Sequence, residues 1–441
     1  MRQKIQLLQQ KLAASPMILN TAKGYALRMA GIALSFIFTK TIIYYFGIEA
    51  WGRFSLSFTY LFLLTVLTKA GFDMALMRYA SEWHNKDMGA VNSVYRQCMK
   101  FVLPTGILLS MTLLLGAEPL AIWLKKPEIV NDFRWAAVAV IPFALTIIHS
   151  EGLRGLNQIS FYNFAQTVGN FLVTLLILPV AYFLLGDALQ PVSIFVIGVI
   201  IISSLTAWQW HKSTSNTSIS TQKFRFEEVR AVAVPMFLSN IIFVAMGYLD
   251  TFILGFYCPE YEIGIYNVSA KLSNILTIPL FAVSGFLAPK ITAFHAENDS
   301  KGLQHLLLQS SKIVAATIIP LFIFIAIFPE FLLGLFNIND ENGTQILVVI
   351  ALGYCFNALS GATDITLQMT GHEKIFRNIV LVAIALNLVL NFIFIPMYGS
   401  LGAAYANVFT IIFWNVLSII YSHKKTGVQT SFVLYYLNIK K

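Results

Sequence analysis

Charge is what this sequence most lacks. Asp, Glu, Lys and Arg together make up 12% of its 441 residues, about half the share of a soluble domain, where charged residues reach about 25%. That scarcity excludes a chain whose whole surface meets water. Cysteine is scarce too. Cys98, Cys258 and Cys355 lie far apart, in or beside apolar runs. They show neither metal-ligand spacing nor a disulfide framework, so they read as packing residues. No glycine-rich phosphate loop is present, which excludes an ATP-driven pump within this chain, and no dinucleotide fingerprint appears. The 7 histidines are scattered, with no ligand-type i, i+4 pair. No catalytic constellation, cofactor site or metal site emerges, and the chain does not read as an enzyme. Residues 1–20 lack the pattern of a cleaved signal: the first long apolar run starts near Gly24 and is too long for a signal core.

Apolar residues take the place of charge. They make up 57% of the chain, with mean hydropathy +0.71. A hydrocarbon layer about 30 Å thick needs about 20 apolar residues in a helix. About twelve segments meet that need: 24–46, 54–77, 97–116, 132–152, 161–185, 192–211, 231–256, 264–288, 312–333, 345–369, 376–397 and 400–422. Turn formers separate them, among them Gly47, Gly155, Pro259, Gly371 and Gly399. The fold class is therefore an all-α polytopic membrane protein. Pro104, Pro142, Pro179, Pro235, Pro279, Pro320 and Pro396 fall within or at the ends of spans, where they kink helices. Trp51, Trp83, Trp123, Trp208 and Trp210 lie near span ends, as interfacial anchors do.

The net charge of +9 would raise nucleic acid as a partner on a soluble protein. Here the basic residues have a sidedness instead. With these spans, 22 Lys and Arg fall on the side of the N-terminus, against Arg53, Lys125 and Lys126 on the other. The positive-inside rule then places both termini in the cytoplasm, and no nucleic-acid partner is expected.

The chain also repeats itself weakly. At a shift of 212 residues Tyr45 falls on Tyr257, Gly52 on Gly264, Arg78 on Lys290, Lys100 on Lys312 and Glu118 on Glu330. At 216, Gly155 and Ile159 meet Gly371 and Ile375, and at 217 Pro179 meets Pro396. A repeat of six spans keeps one topology in both halves, an arrangement known among transporters. The expected division is a bundle over 1–211, a Ser/Thr-rich cytoplasmic linker over 212–230, and a second bundle with its tail over 231–441.

The chemistry rests on ionisable groups inside the spans, which are costly in hydrocarbon and face a cavity or a partner. The basic ones are Arg28, Lys40, Lys69 and Lys271; the acidic ones are Asp73, Asp250 and Asp364. Lys69 and Asp73, at i and i+4, either neutralise each other on one helix face or open towards a ligand. Asp250 and Lys271 lie at similar depth on consecutive spans and are candidates for an ion pair. Arg28 is near enough to the boundary to snorkel. Glu151 and Arg154 read as a brace at the end of the fourth span. The set carries one excess positive charge, which suits an anionic ligand, and Arg and Lys are natural partners of phosphate.

Three segments carry a family resemblance: YYFGIEAWGRFSLSFTYLF over 44–62, TKAGFDMALMRYASE over 68–82 and EGLRGLNQISFYNFAQ over 151–166. They resemble the first outer loop, the second helix with its following loop, and the turn between helices four and five of bacterial polysaccharide flippases. These are the O-antigen repeat-unit flippases of the multidrug/oligosaccharidyl-lipid/polysaccharide exporter superfamily, and the resemblance covers essentially the whole chain. It implies two six-helix bundles around a central cavity in a bacterial inner membrane, as in lipopolysaccharide assembly. It implies export of an undecaprenyl-diphosphate-linked oligosaccharide to the outer leaflet by alternating access. The basic cavity role would fall by position to Arg28, Lys40, Lys69 and Lys271, with ion coupling or salt bridging left to Asp73, Asp250 and Asp364. Implied partners are the lipid-linked oligosaccharide, membrane lipids and the polysaccharide polymerase with its assembly machinery. The alternative is a cation-coupled drug antiporter of the related multidrug and toxin extrusion type, against which the basic set argues.

Overall fold

The computed structural model describes residues 16–186, 189–215, 222–432 and 435. The N-terminal Arg2, Lys4 and Lys11, most of the Ser/Thr-rich linker and the tail residues Lys440 and Lys441 lie outside the described residues. The described residues are helical almost throughout, which satisfies every backbone group within its own segment, as hydrocarbon demands.

Among the described residues, nine helical stretches are long and apolar enough to cross a membrane. Two of these hold two spans each. Pro16–Lys69 bends at Gly47 and Glu373–Thr426 bends at Gly399. Phe226–Tyr257 adds one more, and the twelve spans read from the sequence are all present. We number them α1 (16–46), α2 (48–69, resuming as Phe72–Trp83), α3 (Met88–Trp123), α4 (Val130–Gly155), α5 (159–185), α6 (Pro191–Thr214), α7 (Phe226–Tyr257), α8 (260–296), α9 (Ser300–Ile327), α10 (341–369), α11 (373–398) and α12 (400–426).

The chain forms two compact units, 1–244 and 245–441. The first half of α7 thus packs with the first unit. Its Phe226 stacks on Phe72 with ring centroids 5.8 Å apart, and Val229 and Ala233 enter the core that holds Leu76, Cys98 and Trp210. Within this unit α4 is the enclosed helix, packed by α2, α3 and α6. Its Ala136, Ala137, Ala139 and Ala144 are fully buried. Small residues let neighbouring backbones approach, which is how helices associate where lipid leaves little hydrophobic driving force. In the second unit α10 takes the enclosed place, against α8, α9 and α12.

The two units stop and start their helices with the same devices. Asp87 and Asp299, 212 residues apart, cap α3 and α9. Each accepts a hydrogen bond from the backbone N–H three residues on, at 3.1 and 2.9 Å. Lys125 and Asn337, again 212 apart, hold the left-handed conformation (φ 56° and 58°) after α3 and after the short helix Pro329–Gly334. Gly186 and Gly399 do so between α5 and α6 and between α11 and α12. The weak sequence repeat is therefore a repeat of turns.

One expectation needs correcting. Trp123 and Trp208 are exposed at helix ends, but Trp51 and Trp210 are buried. Trp210 fills a gap beside Gly152, where an added Cβ would meet its ring at 2.5 Å. Trp51 stacks on Phe54 with ring centroids 5.3 Å apart. Both are core residues rather than interfacial anchors. All three cysteines are buried, and they form no disulfide among the described residues.

Candidate functional site

In the first unit the charged residues fall into two groups. Arg28 and Lys40 are exposed on α1, twelve residues or about 18 Å apart along the axis. Lys40 shares an exposed stripe with Ala26, Ala30, Ala33, Ile37 and Tyr44. Among the described residues neither Arg28 nor Lys40 makes an ion pair. Lys69 and Asp73 are different. They form the buried ion pair that their spacing allowed, with side chains 6% and 3% exposed.

The pair sits across the break in α2. Ala70 and Gly71 take positive φ of 38° and 83°. The helix restarts at Phe72 with Asp73 in its first turn, where the positive end of the helix dipole favours a carboxylate. Gly71 is required there twice over. Its φ suits glycine, and a Cβ would lie 2.2 Å from the carbonyl oxygen of Ala233. One oxygen of Asp73, Oδ1, is buried without a hydrogen-bond partner. Lys69 is therefore neutralised as it stands and reaches an anion only when the pair opens.

The end of α4 carries a polar cluster. Arg154 donates to Glu151 at 3.3 Å and lies over the Tyr162 ring at 5.1 Å, which is the brace read from their spacing. His149 is buried, with Nε2 2.9 Å from the Tyr95 hydroxyl and Nδ1 without a partner. Gln166 donates to Ser150 at 2.7 Å, from the π-helical stretch Phe164–Gly169 of α5. Such π-turns recur at functional sites.

In the second unit the ion pair considered between Asp250 and Lys271 gives way to a neutral cage around the carboxylate. Asp250 accepts from the Tyr266 hydroxyl at 2.6 Å, from Asn391 at 2.7 Å and from Asn407 at 2.9 Å. Asn391 also donates to Asn387 at 3.0 Å. Three donors from α8, α11 and α12 thus converge on one buried carboxylate of α7. The reason is chemical: amides and a phenol satisfy a carboxylate without bringing in a second charge. The amide oxygens Asn391 Oδ1 and Asn407 Oδ1 are buried and lack partners. Lys271 is half-buried in the last turn of Glu260–Ser273, where α8 tightens into a 3-10 turn over Asn274–Thr277 before running on. Asp364 lies half-buried in the first turn of Thr363–Met369, beyond the break at Gly361 (φ 77°).

The structure thus brings together Lys69 with Asp73 and gives Asp250 a cage. Lys271 and Asp364 lie on different helices of the second unit. Asn387, Asn391, Asn407, Tyr266, Tyr95 and Gln166 escaped the sequence reading, which weighed only ionisable groups. An amide is also costly in hydrocarbon, so the i, i+4 pair Asn387 and Asn391 inside the run IALNLVLNFIF was a usable signal.

Comparison with known proteins follows the same outline. Residues 46–337 match the model of a family described as polysaccharide biosynthesis protein. A probable flippase, AglR of Haloferax volcanii, is 24% identical over 278 residues, covering 61% of this chain and 56% of that protein. The chain spans about half the length of the curated relatives it matches. Among solved structures, an inward-facing multidrug resistance transporter of the MATE family superposes with TM-score 0.73 at 14% identity, over 90% of this chain and 94% of the other. The lipid II flippase MurJ in an inward closed conformation superposes with TM-score 0.67 at 16% identity, over 96% and 93%. At such identities the likeness is one of fold.

Proposed function

The chain belongs to the polysaccharide biosynthesis protein family, and we propose that it is a flippase carrying a lipid-linked oligosaccharide across the membrane by alternating access. The observation that carries this reading is the pair of exposed cations on α1. Arg28 and Lys40 stand in a membrane helix, are exposed, and make no ion pair among the described residues. A cation in such a place needs an anion or water. A diphosphate group joining a sugar chain to a polyprenyl tail supplies the anion, and a guanidinium binds phosphate in a bidentate fashion. Lys69 joins when its pair with Asp73 opens, and Lys271 is the basic candidate within the second unit. In a bacterial cytoplasmic membrane the cargo takes the form of an O-antigen-type repeat unit on undecaprenyl diphosphate. We place both termini in the cytoplasm and the division between the repeats at 212–230.

Direction follows from charge. With the inside negative, each negative charge carried outward gains about 2.3 kcal/mol per 100 mV. The Asp250 cage adds a coupling site. Asn391 and Asn407 turn their N–H groups to the carboxylate. Rotating the two amides would present their oxygens, and a carboxylate with amide oxygens is a ligand set for a hard cation. Asp73 and Asp364 are the other candidates for coupling.

The test uses the full chain in vesicles holding a polyprenyl-diphosphate oligosaccharide. Arg28→Gln and Lys40→Gln should each slow its appearance in the opposite leaflet by about ten- to a hundredfold, the cost of one lost charged hydrogen bond of about 1.5–3 kcal/mol. Wild-type rates in both variants would defeat the anion role. Export of organic cations that depends on Asp250, with no movement of the lipid, would favour the drug antiporter instead.

A further inference from the structure

The first unit carries a second feature that none of the basic residues of the transport reading lines. Where α1 meets α2, α3 meets α4 and α5 meets α6, the helix ends enclose a cavity of about 500 Å³, within the range of about 300–1,000 Å³ typical of small-molecule sites. Its lining has two characters. It includes Tyr45 and Phe46, whose rings lie against Tyr182 with centroids 4.7 and 5.2 Å away. It also includes Arg53, Glu128, Asp132 and Gln190.

The polar wall is ordered by Arg53. Its guanidinium lies 3.2 Å from Glu128 and 3.7 Å from Asp132. Asp132 is nearly enclosed, with its side chain 5% exposed, and Glu128 is open to solvent at 76%. Gln190 completes the lining; its Oε1 atom is enclosed and has no hydrogen-bond partner among the described residues.

These groups select a ligand by its charge. Two carboxylates against one guanidinium leave the wall with an excess negative charge, which repels a diphosphate. The guanidinium already holds both carboxylates, at 3.2 and 3.7 Å, so a metal ion or an organic cation would have to displace it. What remains is a neutral molecule rich in hydroxyl donors, with a flat apolar face for the aromatic wall. We propose that this cavity binds neutral sugar units. The sugar's hydroxyls would donate to Glu128 and Asp132, and its ring would lie against Tyr45 and Phe46. Identifying that sugar with the glycan of the carried lipid rests on the flippase reading above.

The experiment measures binding of free glucose, galactose, N-acetylglucosamine and lactose to the full chain in lipid nanodiscs, by saturation-transfer NMR. At least one sugar should bind, Tyr45→Ala should weaken it about tenfold or more, and Glu128→Gln severalfold, while inorganic pyrophosphate does not compete. Glu128 is largely exposed, so its variant keeps the test available if Tyr45→Ala does not fold. Three results would overturn the proposal: no sugar binds up to its solubility, both variants bind as wild type does, or pyrophosphate displaces the sugar. Flipping measured on the same variants separates two sources of the sugar. Slowed flipping assigns the cavity to the cargo's own glycan; unchanged flipping with lost binding assigns it to free sugars. Failure of the transport reading looks different again, because sugar binding then persists in a chain that flips no lipid.

Discussion

Replacing Lys69 with Met removes the cation of a buried pair and leaves its carboxylate behind. Both side chains are almost wholly enclosed, at 6% and 3% exposure. Asp73 then keeps no counter-ion within reach: Oδ2 loses Lys69, and Oδ1 has no partner to begin with. Breaking a buried pair from one side costs about 3–5 kcal/mol. The N-terminal turn of Phe72–Trp83 offsets about 1 kcal/mol of this. Lys69→Met should therefore be destabilised by about 3 kcal/mol. The double variant Lys69→Met with Asp73→Leu removes both charges and should return to within about 1 kcal/mol of wild type, since paired charges and apolar isosteres are nearly equivalent in a core. Chemical unfolding in bicelles, followed by tryptophan fluorescence, gives both numbers. A single variant as stable as wild type, or a double variant as weak as the single, would refute the uncompensated-charge argument. The double variant also separates structure from transport. If Lys69 serves the diphosphate, the chain is stable and flips about tenfold more slowly.

Three further outcomes follow from local geometry. Gly71→Ala should lose more than about 2 kcal/mol, because it combines positive φ with a Cβ 2.2 Å from a carbonyl oxygen; Gly116→Ala, with nothing within 4 Å, should gain up to about 1 kcal/mol, and paired melting curves compare the two. Asp87→Ala and Asp299→Ala should each cost about 1 kcal/mol, and similar losses in the two variants, measured by the same unfolding assay, would confirm that the capping positions are equivalent. Asp250→Asn should abolish any dependence of flipping on a sodium or proton gradient while the purified protein stays folded, as read by flipping rates with and without the gradient.

Much of the architecture was legible in the sequence because hydrocarbon imposes it. Apolar runs of fixed length mark the spans, and Gly47 and Gly399 mark bends where the backbone takes positive φ; the break at Gly71 lies inside the apolar run 54–77 and went unread. The Lys69–Asp73 pair was legible because it lies on one stretch of chain, at i and i+4. The Asp250 cage was not, since its donors arrive from residues 266, 391 and 407 and sequence spacing carries no signal for contacts between helices. Trp51 and Trp210 were misread for a related reason. Nearness to a span end was taken for exposure, whereas the facing residue decides it: Gly152 leaves a gap that Trp210 fills. The sugar-sized cavity was equally hidden, because three separate turns supply its walls.

Transport of the lipid itself decides the account. The full chain is reconstituted into vesicles with a polyprenyl-diphosphate oligosaccharide, and an impermeant lectin reports the fraction of sugar accessible from outside. Vesicles with the protein should expose the inner-leaflet pool within minutes, and a variant combining Lys40→Gln, Lys271→Gln and the charge-free Lys69→Met with Asp73→Leu should not. Accessibility equal to that of protein-free vesicles, or undiminished in that variant, would contradict a flippase that works through its basic residues.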